Sequence, residues 1–174
     1  MACTVMNGRP VAVTGSSDRS VRLWDLAAGQ QMGNPLAGHT YLVSAVACTM
    51  REGRPFAVIG TDHGTVTLWD LTKRQQVDGL VTGTRVEAVA CTVLEGRPVA
   101  VLGSEDHMVR VWDLTTGQIR EPLTGHTGPV MAVACTTVDD RPVAVTGSED
   151  ETVRMWDLLQ GSRSVSWWPA TPAR

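Results

Sequence analysis

Short apolar runs and polar turns alternate along the whole chain, and the stretch after residue 129 shows the pattern best. Residues 130–136, VMAVACT, form a continuous apolar run, which predicts an inner strand covered on both faces. A turn follows at 139–142 (DDRP), then a second apolar strand at 143–146 (VAVT) and a polar turn, GSED. Residues 152–156, TVRMW, alternate, with Val153 and Met155 on one face and Arg154 on the other, so they predict a third strand. A more polar fourth strand is expected after each Trp-Asp-Leu, most clearly over Gln118 to Thr124. It ends in Gly-His at Gly38-His39 and Gly125-His126.

The same unit is written four times. Cys3, Cys48, Cys91 and Cys135 each sit in an Ala-Cys-Thr tripeptide, and Trp24, Trp69, Trp112 and Trp156 each begin Trp-Asp-Leu. Both sets step by 45, 43 and 44 residues, so two independent markers keep one register. Self-similarity at this period predicts stacked supersecondary units, each burying its apolar face on its neighbour. Turns NGRP, EGRP, EGRP and DDRP fall at one place in each copy.

Four strands per repeat, with Gly-His before and Trp-Asp after, resembles the WD40 repeat family over about residues 1–160. The resemblance implies an all-β fold, a WD40-type β-propeller in which four-stranded blades pack radially around a channel. The four blades are expected at about 1–40, 41–83, 84–127 and 128–168, with 161–174 a divergent strand and tail. Neighbouring blades would sandwich strands one and two, and the Trp of strand three would fill the wedge between blades. Cysteine there is a small hydrophobe. One Cys per blade and no C-x-x-C gives no converging ligand set, so neither metal nor cofactor is expected.

Blades of this family carry a buried network joining the Gly-His histidine, a strand-two hydroxyl, an Asp in the next turn and the strand-three Trp. Carried over to this chain, it is complete in blade four as His126, Thr146, Asp150 and Trp156. Blade one offers Thr14, Asp18 and Trp24 without a histidine. Blade two has His39 and Trp69, but Ile59 and His63 stand where Thr and Asp are expected. Blade three has Asp106 and Trp112, with Leu102 in place of the hydroxyl and a preceding loop, VTGTRV, that lacks Gly-His. Blades two and three are therefore expected to be less rigid. His, Asp and Thr are also catalytic types, but a trio tied to a repeat and packed against Trp reads as a structural lock. His63 and His107, in turns, are expected to be solvated or locally paired. No motif of phosphate binding, metalloprotease or nucleophile-elbow chemistry is present, so no catalytic residue is assigned.

Charge adds little. Fifteen Lys plus Arg against eighteen Asp plus Glu, with no block of one sign, points to neither nucleic acid nor a membrane surface. No apolar stretch reaches membrane-spanning length and no secretory leader is visible, so a soluble, cytoplasmic chain is expected. The turn arginines Arg9, Arg54, Arg97 and Arg141 should emerge on one face, either paired locally with Glu52, Glu95, Asp139 and Asp140 or forming a charged ring for an acidic partner.

Propellers of this family usually close with about seven blades. An arc of four exposes a strand edge and a bare apolar face at each end, so it is expected to form half of a dimeric eight-bladed ring, close as a small ring, or belong to a longer chain. Met1 stands where the other copies carry Val, which suggests a start inside a longer array of repeats. Trp167 and Trp168 are candidates to cap the last blade or meet a partner chain. The highly similar copies resemble WD40 arrays of bacterial signalling proteins. The expected function is a non-catalytic scaffold that binds other proteins through the propeller's loop faces. The alternative is a detached regulatory segment of a larger kinase, protease or NTPase.

Overall fold

In the computed structural model the described residues are 1–161 and, for the backbone alone, 164–167. They contain no helix, and the strands form four antiparallel sheets in chain order. Blade one is built from β1 (Ala2–Met6), β2 (Arg9–Gly15), β3 (Val21–Asp25) and a two-residue β4 (Gln30–Gln31). Blade two comprises β5 (Val43–Arg51), β6 (Arg54–Thr61), β7 (Thr65–Asp70) and β8 (Gln75–Val81). Blade three has β9 (Val86–Leu94), β10 (Arg97–Ser104) and β11 (Val109–Asp113). Blade four consists of β12 (Val130–Val138), β13 (Arg141–Ser148), β14 (Val153–Asp157) and β15 (Ser164–Trp167).

Each blade is an up-and-down meander whose register repeats. Cys pairs with a strand-two Ala, which pairs in turn with Trp, as in Cys48, Ala57 and Trp69. The first hairpin closes on two residues with positive φ, Asn7-Gly8, Glu52-Gly53, Glu95-Gly96 and Asp139-Asp140. That is the turn whose twist matches two right-twisted strands. The following Arg-Pro belongs to strand two and not to the turn. The proline carbonyl accepts the N–H of the WDL leucine, as in Leu71 to Pro55 at 3.1 Å, which carries the strand-two to strand-three pairing one residue beyond the pair of Phe56 and Asp70.

Two expectations from the sequence need correction. The segment 118–124, expected to be the plainest fourth strand, makes only the isolated bridges Trp112 to Ile119 and Val109 to Leu123, and blade three is a three-stranded sheet. Pro122 lies between those bridges and has no N–H to extend a ladder. Strand β12 is not covered on both faces: Met131, Ala132 and Ala134 are exposed, because among the described residues no blade follows blade four.

Three apolar clusters join the blades. Val11, Val13, Val21 and Leu23 of blade one meet Ala57, Ile59, Trp69 and Leu71 of blade two. Phe56, Val58, Val66 and Leu68 meet Ala100, Leu102, Trp112 and Leu114. Val99, Val101, Val109 and Val111 meet Ala144, Trp156 and Leu158. Every joint thus presses the valine-rich face of one blade onto the tryptophan face of the next. Adding a methyl group at Gly15, Gly60 or Gly103 would drive it into Val43, Val86 or Val130 of the following blade, so close blade approach requires glycine there.

The cysteines lie on the inner strands, with Cys48 and Cys135 half-buried and Cys3 exposed. Burial pushes the Cys48 thiol up to about 12 and the Cys135 thiol to about 11, which suits small apolar packing and opposes thiolate chemistry. Among the described residues no group of three potential ligands could hold a metal ion. No helix there is long and apolar enough to cross a membrane.

Candidate functional site

The loops before strand one and between strands two and three share one end of the blades, and blade four shows how they are held. His126 Nδ1 lies 2.8 Å from Asp150 Oδ2, and Nε2 lies 2.7 Å from Thr146 Oγ1. Trp156 Nε1–H donates to the same hydroxyl at 2.8 Å. With the carboxylate accepting from Nδ1–H, Nε2 is left to accept the Thr146 hydroxyl hydrogen, and every polar atom of the set is matched.

Asp150 is the hub. It also accepts Thr127 N–H at 2.9 Å and the Thr152 hydroxyl at 2.6 Å, a partner that sequence reasoning missed. Burial raises its pKa, but the Thr152 hydroxyl, the Thr127 N–H and His126 outweigh that and hold the carboxyl below the usual carboxylate range. Thr146 is fully buried and both imidazole nitrogens are committed, so no substrate can reach this trio.

Each other blade solves the same problem differently. In blade one, Trp24 Nε1 donates to Thr14 Oγ1 at 2.9 Å, and Asp18, lacking a histidine, pairs with Arg22 at 2.9 Å. The Ser20 hydroxyl first, and then Arg22, hold Asp18 below the usual range. Blade three repeats that pairing with Asp106 and Arg110. Its short loop is tied down instead by Thr82, which donates to Gly64 O at 3.0 Å and lies 2.7 Å from Thr84 O.

Blade two has no such network. Ile59 offers no hydroxyl, so Trp69 Nε1 donates to Thr67 Oγ1 in its own strand at 3.0 Å. His39 lies tilted on the Trp69 ring with centroids 5.1 Å apart, and among the described residues its buried Nε2 has no hydrogen-bond partner. Burial lowers the His39 pKa and favours the neutral ring. His63 pairs with Asp62 at 3.2 Å and stacks on Tyr41 with centroids 4.3 Å apart and planes within 9°. Tyr41 and the adjacent Leu42 are exposed, which places an aromatic and aliphatic patch on the loop end of blade two.

A position absent from the expected network explains these alternatives. Two residues before Trp stand Arg22, Thr67, Arg110 and Arg154. Arginine captures the turn aspartate where no histidine is available. In blade two, where Ile59 replaces the strand-two hydroxyl, threonine takes the indole. The signal was readable, since the one copy that loses the turn Asp, at His63, is also the one that loses this Arg.

At the opposite end the turn arginines find unexpected partners. Arg9 reaches Asp25 at 3.0 Å, Arg54 reaches Asp70 at 3.3 Å, Arg97 reaches Asp113 at 3.4 Å, and Arg141 pairs with Asp157. These are the aspartates of Trp-Asp, which also accept backbone N–H groups of the next turn, such as Ala27 at 2.9 Å and Thr115 at 2.8 Å. Of the expected neighbours, Glu52 lies 3.6 Å from Arg54, and Glu95 lies 3.4 Å from Arg97, as near as Asp113. A ring of arginines already matched by aspartates is a poor landing site for an acidic partner.

The family model described as WD domain, G-beta repeat matches residues 2–25 and 117–157. No curated protein matches the chain. The matched stretches run through the first three strands of blade one and from the end of blade three through the Trp-Asp of blade four. Between them the same order of the first three strands, Cys–Ala–Trp register and hairpin turns recur. The chain belongs to the WD40 repeat family.

Proposed function

We propose that the chain is a non-catalytic protein–protein interaction scaffold of the cytoplasm that docks its partners on the loop end of the blades. WD40 repeats generally mediate such contacts. The observation that carries the reading is the exposed patch of Tyr41 and Leu42 with His63 stacked behind it, on the blade whose polar lock is missing. Stacked, half-rigid tyrosine beside an aliphatic side chain is the composition that anchors protein interfaces. The buried and fully committed His126, Thr146 and Asp150 favour a structural over a catalytic role for the one trio of catalytic types.

The open faces at both ends favour a second element in the reading, namely that further blades complete the array, from a second copy or from a longer regulatory protein. Affinity capture from source cells with the wild-type chain and with Tyr41→Ser/Leu42→Ser tests the docking surface. The reading requires that a specific partner bound by the wild type be lost with the double variant and kept with Arg54→Gln at the other end. Equal capture by all three would refute it.

A further inference from the structure

The two end faces of the chain are the two halves of a joint that it already makes three times. The WDL leucine is 1% exposed at Leu71, 1% at Leu114 and 2% at Leu158, each sealed by the preceding blade, whereas Leu26 is 51% exposed. The strand-three valine three residues before Trp is fully buried at Val21, Val66 and Val109 by the following blade, and 44% exposed at Val153. Further positions follow the same pattern. Trp24 is only half-buried where Trp69, Trp112 and Trp156 are buried, and Val138 is exposed where Met6 and Leu94 are buried. Gly147, whose counterparts touch the next blade, has nothing nearer to an added Cβ than its own blade's Ala132 at 3.7 Å. On blade four this leaves a groove of about 280 Å³ lined by Val138, Arg141, Val143, Met155 and Asp157.

We infer that the occupant of each end face is the opposite end face of a second copy, so that the valine face of blade four receives Trp24 and Leu26 of its partner in the joint geometry already present within the chain. The inference rests on the reading that further blades complete the array, and it adds which faces meet. Its support is continuity with an established interface: Val143, Val145, Val153 and Met155 offer what Val11, Val13, Val21 and Leu23 offer to Trp69, and Ala12, Trp24 and Leu26 offer what Ala57, Trp69 and Leu71 offer in return. Pairing of like ends would set Trp24 against Trp24, a contact found in no joint of the chain. Two copies joined head to tail make two equivalent joints and bury both open ends, a closed two-fold ring of eight blades.

The test uses two variants at half-exposed positions, Leu26→Asp and Val153→Asp, with the mass of the intact 174-residue chain followed by analytical ultracentrifugation. The wild type is expected to be a dimer. Each variant alone should self-associate more than about 100-fold more weakly, because an aspartate is buried in both of its joints. An equimolar mixture should recover an open dimer held by one joint, since the intact face of one variant meets the intact face of the other while the second joint carries both aspartates and stays open, and that recovery also shows that both variants fold. If either variant alone dimerises like the wild type, or if two folded variants stay monomeric when mixed, the head-to-tail joint is wrong while completion by other blades still stands. A wild type that remains monomeric at about 100 μM overturns completion by a second copy, and leaves the loop-end scaffold to be judged by the capture experiment.

Discussion

Blade four and blade two share one backbone plan and hold their loops by different physics. In blade four a carboxylate, an imidazole, a hydroxyl and an indole satisfy one another, and the loop backbone is tied in through Thr127 N–H. Blade two replaces the hydroxyl with Ile59 and the carboxylate with His63, and of its two histidines His39 lies tilted on Trp69 while His63 stacks on Tyr41. Hydrogen bonds fix distance and direction, whereas stacking fixes only a plane and tolerates sliding. The difference teaches that the network is a lock a blade can give up, and that giving it up leaves an aromatic surface where the lock had been.

The largest effect should follow from breaking the polar lock. Thr146→Val leaves the indole N–H and the imidazole Nε2 without their shared oxygen, so stability should fall by about 2–3 kcal/mol in chemical denaturation. The matching change in blade two, Ile59→Val, removes one methylene from the first inter-blade joint and should cost about 1 kcal/mol. Similar losses for the two would mean that the blade-four network contributes nothing beyond packing.

A double-mutant cycle sharpens the comparison. Ile59→Thr alone should destabilise by burying a hydroxyl in an apolar joint, and His63→Asp alone should remove the Tyr41 stack. Together they restore the hydroxyl and carboxylate beside His39, so the double variant should be more stable than the sum predicts by about 1 kcal/mol. Strict additivity would show that His39 cannot reach those positions.

A smaller loss is expected from Arg110→Met, which frees Asp106 from its partner on a part-exposed surface. It should cost under about 1 kcal/mol and shrink at high salt. A loss as large as that of Thr146→Val would make the arginine pairing a full substitute for the histidine network.

Acid should separate the two blades without any mutation. The His39 pKa is lowered by burial, so its contribution is fully present above the ordinary histidine value of about 6.5 and is lost as pH falls from there toward the folded value. Asp150 is held low, so its contribution persists until pH falls below the ordinary carboxylate value of about 3.9. Between pH 7.5 and 5.5 blade two alone should weaken on these grounds. Ring-proton titration by NMR should put the His39 midpoint below the ordinary histidine value of about 6.5, and a midpoint above that value would break the argument.

Much of the fold was legible because the repeat states it four times. Two markers at one spacing, Cys and Trp, fixed the strand register before any contact was known, and the blade-four residues followed from Gly-His, a strand-two Thr and the turn Asp. Less legible were interactions that depend on where a long side chain swings. Arg54 could reach Glu52 two residues away or Asp70 sixteen away, and only folding shows that it touches both. Thr67 as the indole acceptor was hidden because a repeat alignment compares blades column by column, while the replacement bond moves to another column. The fourth strand of blade three failed for a local reason, Pro122 in the middle of an otherwise suitable segment. The expected cap by Trp167 and Trp168 concerns side chains outside the described residues.

The most direct test of the account is native-state hydrogen exchange at neutral pH, read on the loops that precede strand one in blades four and two. Thr127 N–H, bonded to Asp150, should be protected far beyond the loop amides at 39–42, and Thr146→Val should bring the two loops to similar rates. Equal protection in the unmodified chain would contradict the claim that a polar lock holds one loop and stacking loosely holds the other.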